Sequence, residues 1–420
     1  MDTRLTYRRA EIEARAEEAH LQSPAPPSAR RSLLRNRPFV ALCAARAVSS
    51  TGDQIAVVAL VLLIADSHPA TAVGGLLLAE SLPMLLSTHA GVIADRFERR
   101  RLMIGCQLGQ AIIFAAVTVW LPPYAALLAL LVLASLLGTL LRATTQVAVQ
   151  ATVPDDQLQP ANALLGIALW GSVMLGPAIG GALAGLAGPR VALAVDTATF
   201  LVSAATLLLL PLLPRLATDE SDSGSAAAAL RYAASDPILR SLILGMTMLV
   251  AFAGVDNVAL VFLVRDTLGG GAAAYGAAMA VFGVGMVTGS ALVVRYRNWR
   301  AERMVLGSFA MTAGSATLLG LAPSLAAVYP AQFVGGMGNG LDVAAQTTLV
   351  QRRTPPSMLG RMAGAVNSGV AVGFLVAYLG GGALVDVTSP RVAFLVAAAG
   401  TLLAIAVSRP VWRVAPTPST

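Results

Sequence analysis

Gly91-Val92-Ile93-Ala94-Asp95-Arg96-Phe97-Glu98-Arg99-Arg100-Arg101 stands at the junction of two apolar runs, 72–94 and 102–121. A helix that crosses a bilayer needs about 20 apolar residues, and both runs reach that length. A short arginine-rich turn between two such helices marks the cytoplasmic face, because Lys and Arg in short loops stay inside. Gly91 removes a side chain where a neighbouring helix comes close. Asp95 is a lone acid heading Arg96, Arg99, Arg100 and Arg101. Its carboxylate has Arg96 or Arg99 as a partner, or the positive N-terminus of another helix. On composition alone the stretch reads equally as an ordinary positive-inside loop.

Outside this stretch the same character continues. The 420 residues are 56% hydrophobic and only 12% charged, with a mean hydropathy of +0.72. Soluble domains carry about 25% charged residues, so the chain is an integral membrane protein. Its apolar runs are long and continuous, without the period-2 alternation of a β-barrel. The net charge of +7 comes from arginine alone, since no lysine occurs. On a membrane protein that basicity means topology and contact with anionic lipid on the cytoplasmic side, not nucleic-acid binding. Cys43 and Cys106 lie in or near apolar runs and give neither a metal spacing nor a disulfide framework. His20, His68 and His89 are scattered, so no metal site is expected. The N-terminus has no signal-peptide pattern, and the first apolar run is expected to be retained.

Twelve membrane-length segments fit the chain, near 39–64, 72–94, 102–121, 125–148, 161–187, 190–213, 238–264, 274–294, 304–321, 325–350, 362–385 and 391–407. The expectation is an all-α membrane protein. Residues 1–36 form a polar, mostly disordered cytoplasmic tail, 37–213 a first six-helix half, 214–237 a cytoplasmic linker, 238–409 a second half, and 410–420 a short tail. Arginines crowd alternate loops, at Arg96–Arg101, at Arg295, Arg297, Arg300 and Arg303, and at Arg352, Arg353 and Arg361. That alternation puts both termini in the cytoplasm.

The halves repeat. A shift of 201 residues carries Gly188-Pro189-Arg190-Val191-Ala192 onto Ser389-Pro390-Arg391-Val392-Ala393, Gly180-Gly181-Ala182-Leu183 onto Gly381-Gly382-Ala383-Leu384, and Pro154 onto Pro355. Duplicated six-helix units related by an axis along the membrane normal place a binding site between them, near the bilayer midplane. The same shift puts Tyr296 where Asp95 stands, so the opening stretch has decayed in the second copy.

A second marker is Gly171-Ser172-Val173-Met174-Leu175-Gly176-Pro177-Ala178-Ile179-Gly180-Gly181. Gly171, Gly176, Gly180 and Gly181 make a flat helix face for close packing, and Pro177 bends the helix. Gly-rich faces are common in membrane helices, and that alone is the plainer account of it.

With these stretches in hand, the chain resembles the major facilitator superfamily. Gly91, Asp95, Arg96, Arg99 and Arg100 match the loop between helices 2 and 3 of that superfamily, although Glu98 stands where the pattern usually has Gly. Gly176-Pro177 with Gly180-Gly181 resembles the helix-5 motif of its antiporters. Three further stretches are similar to the bacterial drug exporter branch that holds macrolide and enterobactin-type siderophore exporters. They are Ser50-Thr51-Gly52-Asp53, the run from Val153 to Leu164, and Val195-Asp196-Thr197-Ala198-Thr199-Phe200. The resemblance implies the major facilitator fold, a bacterial cytoplasmic membrane, and a monomer that works without a cofactor, on the proton gradient.

Charges inside the membrane cost roughly 2.5–3.5 kcal/mol each on insertion scales, so they face protein or water. Here they are Arg46, Asp53, Glu80, Arg142, Asp196, Asp256 and Asp342. In the superfamily fold, helices 1, 4, 7 and 10 line the central cavity, and Arg46, Asp53, Arg142, Asp256 and Asp342 fall on those helices. Asp53 leads as the proton-coupling acid, because a desolvated carboxyl can take up and release a proton; Asp256 comes second. Equally weighted is a structural role for Asp53, bonded to Arg46 or a helix end. Arg142 and Asp342 are expected to meet across the cavity, as a gate or, more readily, as a structural ion pair. Asp196 reads as structural. Gln54, Phe252, Asn257 and Gln346 are the substrate-cavity candidates, on helix membership alone.

Enzyme readings fail on the residues present. A Walker motif requires a lysine. Gly335-Gly336-Met337-Gly338-Asn339-Gly340 imitates a dinucleotide fingerprint but sits in an apolar helix with no strand before it. The expected function is export of a small amphipathic molecule (a drug, siderophore or other secondary metabolite) by proton antiport. An uptake symporter on the same fold, or a non-transporting membrane sensor or assembly partner, are the competing readings.

Overall fold

The computed structural model describes residues 33–86, 97–154, 157–212, 226–295, 300–355 and 358–408. Among these there is no strand. The helices are α1 (Arg37–Ala65), α2 (Ala70–Ser81), α3 (Arg99–Trp120), α4 (Tyr124–Thr152), α5 (Leu158–Ala187), α6 (Pro189–Leu207) and α7 (Ala226–Ser235). After them come α8 (Pro237–Ala253), α9 (Asp256–Phe262), α10 (Ala272–Arg295), α11 (Ala301–Gly320), α12 (Leu325–Arg353), α13 (Leu359–Val387) and α14 (Pro390–Val407). Nine segments among the described residues are long and apolar enough to cross a membrane, α8 and α9 counting together as Pro237–Thr267. Their outward faces are apolar too: Leu186 is 90% exposed and Val119 80%, a surface suited to lipid rather than water.

Local chemistry sets the ends. Asn36 caps α1 by accepting from the Phe39 amide. Asp236 caps α8 through the Ile238 and Leu239 amides, at 2.7 and 3.3 Å. Glu98 caps α3 by accepting from the amides of Arg100 and Arg101, at 3.0 and 2.8 Å. A carboxylate at a helix N-terminus satisfies orphan N–H groups and opposes the dipole. The Glu98 that departs from the family pattern therefore has its own function, as the cap that starts α3. Gly91, Asp95 and Arg96 lie outside the described residues. Arg100 donates to the Leu208 carbonyl at 2.9 Å, tying α3 to the end of α6.

Three elements differ from the sequence expectation. The expected seventh helix, 238–264, breaks at Gly254–Val255, where a side chain on Gly254 would meet the Val250 carbonyl and Ala377 of α13. Residues 214–237, expected as a bare linker, carry α7, which docks through the Tyr232 hydroxyl on the Arg353 carbonyl at 3.2 Å. The second apolar run tightens to a 3-10 turn over Leu82–Leu86, where Pro83 lacks an amide to donate.

Packing repeats as the sequence does. In the first bundle α1 packs on α5 and α6, α3 on α4 and α6, and α2 on α4. In the second, α8 packs on α13 and α14, α11 on α12 and α14, and α10 on α12. The bundles meet along two seams, α5 on α10 and α2 on α13. The first seam is built on glycine: a side chain on Gly181 would meet the Gly276 Cα, and one on Gly283 the Met174 Cα.

The two ends of the molecule differ. At one end a single apolar core joins both bundles, from Ile55–Ile64 and Ala70–Leu77 to Val255–Val264 and Ala377–Val385. At the other, Leu42, Met103, Leu141 and Leu165 form a core within the first bundle, and Leu242, Val305, Phe309 and Leu349 form a separate one within the second. The first end is closed by a shared core, whereas at the arginine-rich end each bundle keeps its own. Polar links reinforce the shut end. Asp386 at the end of α13 accepts from the Ala70 and Thr71 amides of α2, at 2.6 and 3.0 Å. Arg265 pairs with Asp66 across the same gap.

Hydrogen bonds to a charged group are worth about 1.5–3 kcal/mol net. Asp386→Ala is therefore expected to populate a state open at this end. Distances between spin labels at Ser67 and Thr388, in a background lacking Cys43 and Cys106, would read it. An unchanged distance distribution would show that the link carries no weight.

Candidate transport site

Four charges of the first bundle's helices gather. Arg46 and Asp53 lie on α1, Glu80 on α2 and Arg142 on α4. Asp53 is in Coulombic contact with Arg46 and Arg142, and Glu80 with Asp53 and Arg142. Arg46 is 7% exposed, whereas Asp53 and Glu80 are half-buried and Arg142 is exposed. Arg142 donates to Thr139 at 3.0 Å on its own helix. Among the described residues Asp53 makes no direct hydrogen bond or ion pair. The arginines act on it through space, so its carboxyl remains available to a proton or a ligand.

Neighbouring contacts hold α1 rigidly behind Asp53. Thr51 donates to Ser172 of α5 at 3.0 Å, Ser172 donates to the Ala47 carbonyl at 3.1 Å, and Ser203 of α6 donates to the Ala45 carbonyl at 3.0 Å. Gly176 admits the Gln54 side chain, and Gly180 lies on the Ile55 backbone. The helix-5 glycines thus divide: Gly176 and Gly180 serve α1, Gly181 serves α10 in the other bundle, and Gly171 has no neighbour that a methyl would touch. Pro177 presents its carbonyl to Gly276.

The second bundle contributes separately. Asp256 opens α9 and accepts from Gln332 of α12 at 3.0 and 3.3 Å; Tyr275 of α10 feels its charge. Asn257 donates to the Gly254 carbonyl at 3.3 Å, across the helix break.

Two expectations are corrected here. Arg142 and Asp342 do not pair among the described residues. Asp342 faces α11, accepting from Ser308 at 3.0 Å and from Gln346 at 2.8 and 2.7 Å. Its polar neighbours lie on the α11 side, so Asp342 and Gln346 form a buried knot between helices rather than a cavity wall. Phe252 seats its ring against Gly400 of α14, because the missing side chain leaves a slot there. Asp342→Ala leaves the buried Gln346 amide, which donates to both carboxyl oxygens, without its partner, while Ser308 keeps the Val305 carbonyl at 2.7 Å; a buried donor left so costs about 1–3 kcal/mol. The melting midpoint in detergent is expected to fall, and an unchanged midpoint would refute the structural role.

Sequence reasoning counted Glu80 among the membrane charges but gave it no role, because its position on helix 2 gave no sign that it neighbours the α1 acid. Its neighbour Tyr378 comes from α13 in the other bundle, so the first-bundle cluster reaches the seam. Among the described residues no group of His, Cys, Asp and Glu is placed to hold a metal.

Comparisons with known proteins agree with this architecture. Residues 28–417 match the family described as transmembrane secretion effector. An uncharacterized MFS-type transporter of Bacillus subtilis (strain 168), YfiS, is 26% identical over 380 residues, covering 87% of this chain and 91% of that protein. The MFS-type transporter y4rN of Sinorhizobium fredii is 29% identical over 352 residues, covering 79% and 84%. Among solved structures, the nucleoside transporter NupG superposes with a TM-score of 0.71 at 12% identity, covering 90% of this chain and 99% of that one. A bacterial homolog of the human lysosomal transporter Spinster, inward-facing and unoccupied, gives 0.69 at 16% identity, covering 92% and 99%. At such identities the likeness is one of fold.

Proposed function

The chain belongs to the transmembrane secretion effector family of MFS-type transporters, a multi-pass membrane transporter rather than an enzyme, and from that premise we propose that it exports a small amphipathic molecule by proton antiport. The observation that carries the proposal is Asp53, a half-buried acid without a direct partner among the described residues, set among the charges of Arg46, Glu80 and Arg142.

In this reading the nine apolar segments, with α2, α11 and α12, make twelve spans in two pseudo-symmetric halves. The arginine-rich end and both termini face the cytoplasm of a bacterial cell, so the described state opens inward. A substrate binds between the two halves. A proton from outside reaches Asp53 when the shut end opens. Neutralising Asp53 removes its attraction to Arg46 and Arg142, changing the relative stability of the two states, which is what alternating access requires. Gly91, Asp95, Arg96, Arg99 and Arg100 tune the rocking, and the α5–α10 seam serves as its hinge. No cofactor takes part; anionic lipid meets the cytoplasmic arginines.

The helix-5 Gly176-Pro177 motif favours antiport over uptake symport. Proteoliposomes with an imposed proton gradient and a panel of fluorescent amphipathic dyes test both. Dye moving against the proton flow supports export, dye moving with it points to a symporter, and no gradient-dependent movement of any dye counts against transport of this class.

A further inference from the structure

Asp196 on α6 is fully excluded from solvent. One carboxyl oxygen accepts from the Thr199 hydroxyl at 3.3 Å. The other, Oδ2, has no hydrogen-bond partner among the described residues. The group rests against Gly52 of α1: a methyl there would be driven into Asp196 Oδ1 and the Thr199 side chain. Gly52 directly precedes Asp53, so two carboxyls flank one point of the α1 backbone.

The surroundings decide what charge Asp196 can carry. The helices packed on α6 are α1, α3 and α5; α1 carries Arg46 and Asp53, and Glu80 of α2 and Arg142 of α4 stand with Asp53 in one cluster. Asp53 and Glu80 are the charges that act on Asp196 most directly, and both are acids. The third helix packed on α6, α3, offers in its span only the amides of Gln107 and Gln110 and the Cys106 thiol, and α5 carries no titratable side chain. An ionised carboxylate buried without a partner costs several kcal/mol, and two neighbouring carboxylates resist ionising together.

We propose that Asp196 is a second proton-holding residue behind Asp53, so that the pair carries two protons or one through the cycle and never none. Asp53 exchanges its proton with the opening. Asp196 keeps its own while Asp53 is charged, which holds the α1–α6 contact closed around a neutral acid. Gly52 is the spacer that lets the two groups feel one another. Asp196 is in these terms a positioning residue for the coupling step, and the inference rests on Asp53 being the exchangeable acid.

Infrared difference spectra of the purified protein in lipid vesicles, taken through a pH titration, count protonated carboxyls without any substrate. The wild type is expected to keep one protonated-carboxyl band after its other carboxyls have ionised. That band disappears in Asp196→Asn and remains in Asp53→Asn. In Asp53→Asn it should be lost at lower pH, by about one unit or more, because the neighbouring charge is gone; an acid that does not feel Asp53 would not move. If Asp196→Asn fails to insert, the wild type against Asp53→Asn still decides the matter. A band untouched by Asp196→Asn, or a titration indifferent to Asp53, would overturn the inference. Gradient-driven export that survives Asp53→Asn would sink the coupling reading instead, and leaves the infrared result to be judged by itself.

Discussion

Asp53→Asn is expected to abolish proton-driven export while the protein still folds and inserts. Asn keeps the size and polarity of the side chain but cannot release a proton. One charge moving through 100 mV supplies about 2.3 kcal/mol, enough for a roughly fifty-fold concentration ratio. Without the exchangeable acid that ratio should collapse to about one. Helix content should not change, because among the described residues Asp53 makes no direct bond that the substitution would break, and α1 is held by Thr51, Ser172 and Ser203 instead. Dye accumulation in energised vesicles, normalised to the amount of inserted protein, is the measurement. Full accumulation by the variant would remove Asp53 from the mechanism and turn attention to Asp256, whose carboxyl accepts from the Gln332 amide.

Gly181→Val should jam the hinge between the bundles. A single methyl at Gly181 would stand 2.7 Å from both the Gly276 Cα and the Ala272 carbonyl. Carbon contacts prefer about 3.5–4.0 Å, and the obstacles are backbone atoms, which cannot rotate away. Valine adds two more carbons, so α5 and α10 must separate, and a tightly packed membrane interface has few other sources of stability. Turnover should fall by about ten-fold or more, with Gly181→Ala intermediate. Gly171→Val is the control on the same helix, since a methyl at Gly171 touches nothing. Equal rates for Gly181→Val and the wild type would show that the seam yields freely.

Much of the architecture was legible before any coordinates. Apolar runs at membrane length leave the backbone no option but helix, since hydrocarbon offers nothing else to bond with. The 201-residue repeat reappears in the helix starts: Tyr124 and Leu325 open α4 and α12, Leu158 and Leu359 open α5 and α13, and Pro189 and Pro390 open α6 and α14. The break in the seventh span was less visible, for Gly254 marks it only once Ala377 of α13 is known to press there. The ten-residue α7 was hidden because an Ala-rich stretch reads as spacer until something covers it.

Site residues were harder, for one reason. A helical charge points wherever its angle takes it, and helix number alone does not give that angle. Asp342 and Gln346 sit on a cavity helix yet bond to each other and to Ser308 of α11. Asp196 sits on a helix outside the expected cavity, yet touches the backbone beside Asp53 through Gly52. The chain's composition, apolar lengths and internal repeat settled that this is a duplicated helical membrane protein, because those properties follow from solvent and chain connectivity. Which acids meet which helices, and which end of the molecule is shut, depended on rotation and close approach between helices, and these exist only once the bundles have packed.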